Sequence, residues 1–219
     1  MIYLVNEVFE TIQGEAKFTG TPAIFLRLQG CPVGCGWCDT KHTWELNFSD
    51  QTPIPLMLAK QKDSPKHARA SVDDILEIVC KFQAKHVVIT GGEPCLYNLN
   101  ELTQALIASG RTVQIETSGT HKIQAHPSTW ITVSPKVGMP GGFKMLDSAL
   151  ALANEIKFPV GKRSDIMVLI GLLQEISNKP LVWLQPLSQS VKATEICVKA
   201  ATRYGWKVSI QTHKYMGVR

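Results

Sequence analysis

Cys31, Cys35 and Cys38 stand in one short run, Cys31-Pro-Val-Gly-Cys35-Gly-Trp-Cys38. Three thiolates on one loop can hold three irons of a four-iron, four-sulfur cluster, and such clusters ordinarily take four cysteines. No fourth cysteine stands nearby: the others are Cys80, Cys95 and Cys197. Three ligands therefore suggest one iron left open, by the logic that separates open catalytic metal sites from closed structural ones. A zinc site completed by His42 is the competing reading. Zinc ligands, however, usually come as two close pairs across a longer span, and the second pair is missing. A second element able to do chemistry is Thr90-Gly-Gly-Glu-Pro94. Gly92 there lacks a side chain and lets backbone approach a ligand closely.

The elements that must position these residues alternate along the chain. Short apolar runs predict strands at Ala23 to Leu28, His86 to Thr90, Thr112 to Glu116, Trp130 to Ser134, Glu155 to Phe158, Leu181 to Gln185 and Trp206 to Gln211. Helical spacing runs through Val72, Ile75, Leu76, Val79 and Phe82, with Ser71 and Asp74 as a capping pair. Asn98 with Glu101 opens a second helix that Gly110 closes, and a last helix spans about Val191 to Tyr204 with Gly205 as its stop. Strand, helix, strand repeated in this way implies parallel strands joined by crossovers. The proline-bearing stretch 43–70 breaks the repeat and reads as an insertion in a single domain spanning 1–219.

Side chains alternate faces along a strand, and these strands sort by parity. Ile24, Leu26 and Leu28 oppose Phe25 and Arg27; Ile156 and Phe158 oppose Glu155 and Lys157; Val182 and Leu184 oppose Gln185; Val208 and Ile210 oppose Ser209 and Gln211. One face is aliphatic and the other turns polar toward the strands' C-terminal ends. A half-exposed antiparallel sheet also alternates, but helices intervene here. An incomplete α/β barrel with a polar lumen fits better, and the C-terminal mouth is where barrel enzymes place their sites. Arg27 is the one charged residue in its strand, and its planar fork suits a ligand carboxylate; pairing to an acid such as Glu116 is the alternative.

Composition narrows the class. The chain has 219 residues, 44% of them hydrophobic, enough for one substantial core. No run is long and apolar enough for a membrane helix, and the N-terminal residues do not read as a signal peptide. A cytoplasmic protein with thiols rather than disulfides is expected. Cys80 and Cys197 read as core thiols, Cys95 as buried rather than a fourth ligand, and His86 and His126 as structural. A net charge of +5 without a dense basic stripe gives no nucleic-acid signal.

The cysteine loop, with an aromatic residue before its last cysteine, resembles the signature of the radical S-adenosylmethionine enzymes. Thr90–Pro94 resembles that superfamily's glycine-rich element, which meets the methionine end of the cofactor. Phe9–Glu15, Phe25–Arg27, Cys38–His42, Ile115–Thr120, Ser134–Lys136 and Gln185–Pro186 resemble, nearly end to end, the 7-carboxy-7-deazaguanine synthase family. Gln211–Tyr215 resembles the tail of that family in some bacteria, without an assigned role.

The resemblance implies an abbreviated barrel of the radical S-adenosylmethionine type. It implies a lyase that converts 6-carboxy-5,6,7,8-tetrahydropterin to 7-carboxy-7-deazaguanine with loss of ammonia, in queuosine biosynthesis. A [4Fe-4S] cluster on Cys31, Cys35 and Cys38, S-adenosylmethionine and Mg2+ follow as cofactors, with a 5′-deoxyadenosyl radical as the only catalyst. By the same likeness Thr40 reaches magnesium, and Ile12, Gln13, Gly14, Arg27 and Thr90 contact the pterin. Trp37, Cys38, Asp39, Gly92, Ser134, Pro135, Lys136, Gln185 and Pro186 hold S-adenosylmethionine. Ala16 stands where relatives often carry glycine. An external electron donor such as a flavodoxin and a homodimer are implied too. The rivals are a glycyl-radical-enzyme activase and a zinc-stabilised, non-catalytic binding module.

Overall fold

The computed structural model describes residues 1–218. Its strands in chain order are β1 (Ile2–Ile12), β2 (Pro22–Leu28), β3 (Ala68–Ser71), β4 (His86–Gly91), β5 (Thr112–Thr117), β6 (Trp130–Val133), β7 (Glu155–Val160), β8 (Leu181–Pro186) and β9 (Lys207–Val208). The helices are α1 (Ile54–Leu58), α2 (Val72–Cys80), α3 (Asn100–Ala108), α4 (Asp147–Leu152), α5 (Arg163–Gln174), α6 (Val191–Tyr204) and α7 (Thr212–Met216). The strands form one open sheet in the order β3-β1-β2-β4-β5-β6-β7-β8-β9. β1 pairs antiparallel with β2 and β3, and from β2 onward every neighbour is parallel. This is the incomplete barrel that the alternation of elements predicts.

The parity reading holds where strands are long. Ile24, Leu26, Leu28, Val87, Ile89, Ile115, Ile156 and Leu184 join one buried core. The other face buries polar side chains instead: Gln114, Thr132, Glu155 and Lys157. Ser71 caps α2 as its sequence predicts, accepting the Asp74 N–H at 3.1 Å while the Asp74 carboxylate accepts the Ser71 N–H at 2.8 Å. Gly205 ends α6 in the left-handed conformation, at φ 70°. Asn98 works one step outside its expected place: its side chain accepts the Asn100 N–H, and α3 begins at Asn100.

Two expectations change, and two features of the sheet were not expected. β1 escapes a period-2 reading because a bulge between Val5 and Glu7 shifts its register and so switches the faces of all that follows. The run Trp206 to Gln211 yields a strand only at Lys207–Val208, and Ile210 is exposed, because Thr212 N–H already bonds Gly14 carbonyl. Cys80 is exposed rather than in the core, being the last residue of α2, one position past its buried face. Residues 68–70 of the stretch 43–70 pair with β1 in β3 and tie that excursion to the sheet edge.

Candidate active site

A cavity of ≈ 270 Å³ gathers the C-terminal ends of β2, β4, β5, β7 and β8. Its upper wall is the cysteine loop after β2. Main-chain bonds hold this loop at both ends: Gly30 N–H to Thr43 carbonyl (2.7 Å), Cys31 N–H to Trp44 carbonyl (3.0 Å) and Glu93 N–H to Gly30 carbonyl (2.7 Å). Gly92 packs so closely that a Cβ there would lie 2.1 Å from Gly30 O. The glycine is therefore a steric requirement of the joint between β2 and β4. Trp44 Nε1 points at Cys38 Sγ (3.4 Å), and Thr40 Oγ1 lies 3.5 Å from the same sulfur.

Charge collects on the floor. Lys157 forms ion pairs with both Glu15 and Glu116. Glu15 Oε1 also accepts from Gln211 Nε2 (2.8 Å) and Gln185 Nε2 (3.3 Å), and Glu116 Oε1 accepts from Gln13 Nε2 (3.1 Å). Burial pushes the Glu15 carboxyl up, but the Lys157 ammonium and the bonds from Lys157 and Gln211 outweigh it and hold it at about 2. Burial likewise opposes the Lys157 charge, yet the two carboxylates win and its pKa rises. For Lys136 the balance reverses: burial outweighs the pull of Cys35, Glu15 and Glu116 and lowers its pKa, and its ammonium donates to Ser134 Oγ (2.6 Å). Glu93 is buried and accepts from Cys95 N–H (2.9 Å), Thr117 Oγ1 (2.6 Å) and Ser118 N–H (2.8 Å), which locks the ends of β4 and β5 together.

Residues 26–172 match the family described as the Radical SAM superfamily. Over 222 residues and the full length of both chains, the sequence is 50% identical to the 7-carboxy-7-deazaguanine synthase of Escherichia coli (strain K12). It is 48% identical over 223 residues, again full length on both sides, to the protein of that name in Buchnera aphidicola subsp. Schizaphis graminum. The crystal structure of QueE from Escherichia coli superposes with a TM-score of 0.94 at 49% identity, covering 96% of this chain and 94% of that one. This chain belongs to the radical SAM superfamily and, within it, to the 7-carboxy-7-deazaguanine synthases.

The residues of this superfamily member fit its cofactors. Cys31, Cys35 and Cys38 all line the cavity, and Cys95 does not. Burial raises the Cys31 thiol to about 11 and raises Cys35 as well, a cost that a metal centre bound by thiolates would remove. Zinc finds less support. His42, the fourth ligand that reading needs, does not line the cavity, and its Nδ1 faces Asp63 at 3.9 Å. Lys136 lines the cavity and, among the described residues, makes no salt bridge, so a buried cation there suits a ligand carboxylate.

Of the site residues expected from the sequence, the cavity brings together Arg27, Trp37, Cys38, Asp39, Thr40, Thr90, Gly92, Ser134, Lys136, Gln185 and Pro186. Pro135 lines a neighbouring groove with Trp37 and Val137. Ile12, Gln13 and Gly14 do not line the cavity. Gln13 is 2% exposed and acts through Glu116, while Gly14 carbonyl accepts from Thr212. Arg27 pairs with Glu7 (2.6 Å), its cross-strand neighbour in β1, not with Glu116. The bulge in β1 aims Glu7 there, which is why parity alone pointed to another acid. Sequence reasoning missed the floor as a site. Its lumen parity placed Lys157, Glu116 and Gln211 on the polar face, but nothing in the sequence brings Glu15 to Lys157.

Proposed function

We propose that this chain is a lyase that converts 6-carboxy-5,6,7,8-tetrahydropterin to 7-carboxy-7-deazaguanine with loss of ammonia, a step of queuosine biosynthesis. The observation that carries the reading is one cavity holding three clustered thiols, the Gly92 joint and a charged floor, in a chain 50% identical end to end to enzymes of that name. When bound, the cluster and S-adenosylmethionine supply one-electron cleavage of a carbon–sulfur bond and hydrogen-atom transfer. The chain supplies position, electrostatics and exclusion of water.

Cys31, Cys35 and Cys38 hold the cluster. Trp37, Cys38, Asp39, Gly92, Ser134, Pro135, Lys136, Gln185 and Pro186 hold S-adenosylmethionine, with Lys136 set to meet its carboxylate. Thr40 offers a hard oxygen to Mg2+, which keeps most of its shell from water and substrate. Arg27 spends Nε on Glu7 and keeps its terminal nitrogens for the pterin carboxylate, and Thr90 completes that wall. Ile12, Gln13 and Gly14 shape the loop that carries Glu15. The chain works as one domain, as a homodimer, with an external electron donor such as a flavodoxin. A cytoplasmic setting accords with six free cysteines, and no helix is long and apolar enough to cross a membrane.

The test is anaerobic incubation of reconstituted protein with S-adenosylmethionine, a reductant and the carboxypterin. Mass spectrometry is expected to find a product lighter by ammonia. Iron and sulfide incorporation with no such product would overturn the reading in favour of another radical enzyme, and zinc alone would overturn both.

A further inference from the structure

Trp44 lines the cavity, yet it is not among the residues assigned to cluster, cofactor or substrate. Its indole Nε1–H donates to Cys38 Sγ at 3.4 Å. An indole N–H can only donate. Cys31 and Cys35 receive main-chain donors, from Val33 and from Cys35 itself. Cys38 differs in taking a side-chain donor. The aim of that donor is fixed by the fold. Trp44 N–H bonds Lys41 carbonyl (3.1 Å), and Trp44 carbonyl accepts Cys31 N–H (3.0 Å). The fully buried Thr43 donates its hydroxyl to Thr40 carbonyl (2.8 Å), and Gln29 Nε2 donates to Glu45 carbonyl (2.8 Å). These bonds tie residues 40–45 into one turn, so the indole is oriented without further ordering. The Lys41 ammonium stands 5.8 Å from the centroid of the Trp44 ring, within reach of a cation–π contact. A cation over the ring draws electron density from it and sharpens its N–H as a donor.

We propose that Trp44 is a positioning residue for electron uptake: its N–H, held on Cys38 Sγ, raises the reduction potential of the cluster. The inference rests on the reading of Cys38 as a cluster ligand. One electron from the external donor adds a negative charge that spreads onto the thiolate sulfurs. A hydrogen bond to sulfur therefore stabilises the reduced form more than the oxidised one. No bond forms or breaks at Trp44, and no proton leaves it. Solvent acts with the same sign, because a wetter cluster accepts the added charge more readily. Trp44 thus has two separable effects. Its N–H raises the potential, and its bulk, by excluding water, lowers it. Other charges bear on the same centre: Lys136 attracts charge on Cys35, and Glu93 repels charge on Cys31 and Cys35. Both stay in place when position 44 alone is changed, so a difference between proteins isolates the indole.

The experiment is a redox titration of reconstituted holoenzyme without S-adenosylmethionine, followed by electron paramagnetic resonance of the reduced cluster. It compares unaltered protein, Trp44→Phe, and protein carrying at position 44 the isosteric tryptophan analogue with sulfur in place of the indole N–H. Loss of one hydrogen bond to a charged sulfur is expected to lower the reduced-to-oxidised ratio at fixed potential about tenfold. For one electron that is a fall of about 59 mV in midpoint. The isosteric protein should show the full fall, and Trp44→Phe a smaller one, because the smaller ring admits water. The isosteric protein decides, since it keeps the volume of the ring. An unchanged or raised midpoint there overturns the proposal, whatever Trp44→Phe does. Failure of the isosteric protein to take up a cluster that unaltered protein takes up overturns it too, because the N–H would then serve assembly. Unaltered protein that takes up no iron–sulfur cluster removes the reading of the cysteines itself. A cluster whose potential ignores position 44 removes only the role of Trp44.

Discussion

Around Cys31–Cys38 the cavity wall is fixed by main-chain bonds to Thr43, Trp44 and Glu93, and its side chains are left to bind. Around Lys157 the order reverses: side chains from the loop at Glu15, from β5, β7 and β8 and from Gln211 fix one another. One wall is local in sequence and tolerates loss of a side chain without loss of fold. The floor is assembled from distant segments, so each side chain there is at once a binding group and a structural partner. The two walls should therefore respond differently to the same kind of deletion.

The sharpest contrast is between activity and stability. Cys35→Ala is expected to reduce turnover to background and to prevent full cluster loading, while the unloaded protein melts close to the unaltered one; iron analysis with thermal unfolding checks both. Undiminished turnover would break the ligand assignment. Lys157→Met is expected to act on the fold itself, because it leaves two buried carboxylates facing each other without a cation. Removing one partner of such a group costs about 3–5 kcal/mol, roughly a 10 °C fall in melting temperature for a chain of this size. Adding Glu116→Gln should recover part of that loss, since the two sites share one interaction. A double variant no more stable than Lys157→Met would mean that repulsion across the floor is not the cause.

Acid separates the walls without mutation. The Glu15 pKa is depressed from 4.5 to about 2 on folding. Its contribution is complete above the unfolded value and is lost as pH falls from about 4.5 toward 2. By linkage it amounts to about 3 kcal/mol. Glu155 runs the other way: burial raises its pKa, so its folded form is favoured by protonation and partly offsets the loss. Comparing unfolding free energies of unaltered protein and Glu15→Gln between pH 6 and pH 3 isolates Glu15. The gap should shrink as pH falls, and a constant gap would show that Glu15 does not stay charged in the fold.

The same division governs what the sequence discloses. Three cysteines in one turn of chain and a glycine pair at a strand end are legible because their partners are close in sequence or are the backbone itself. Strand parity went further and put Lys157, Glu155 and Gln185 on the lumen face. It did not extend to Glu7, because a bulge at Asn6 shifts the register of β1, and no periodicity reports a bulge. It could not join Glu15 to Lys157 or Gln211 to Glu15, because those contacts span 142 and 196 residues. Charged groups that meet only through the closed order of a sheet leave no local trace.

The smallest effect tests how the floor is held. Ala16 follows Glu15 at φ 55°, a left-handed backbone that suits glycine and costs a residue with a side chain about 1 kcal/mol. Its N–H donates to Ser209 Oγ (2.9 Å), so the turn that aims Glu15 is pinned from the far edge of the sheet. Strain of this kind persists only where surrounding contacts over-determine the backbone. Ala16→Gly relieves the strain but gives the unfolded chain more freedom, a term of about 0.4–1 kcal/mol of opposite sign. Because the penalty for a left-handed alanine exceeds that term, the variant is expected to gain up to about 0.5 kcal/mol in denaturant unfolding. A net loss of stability would mean that the buried Ala16 methyl, 2% exposed, contributes more by packing than its backbone costs, and that the turn is held by contact rather than against strain.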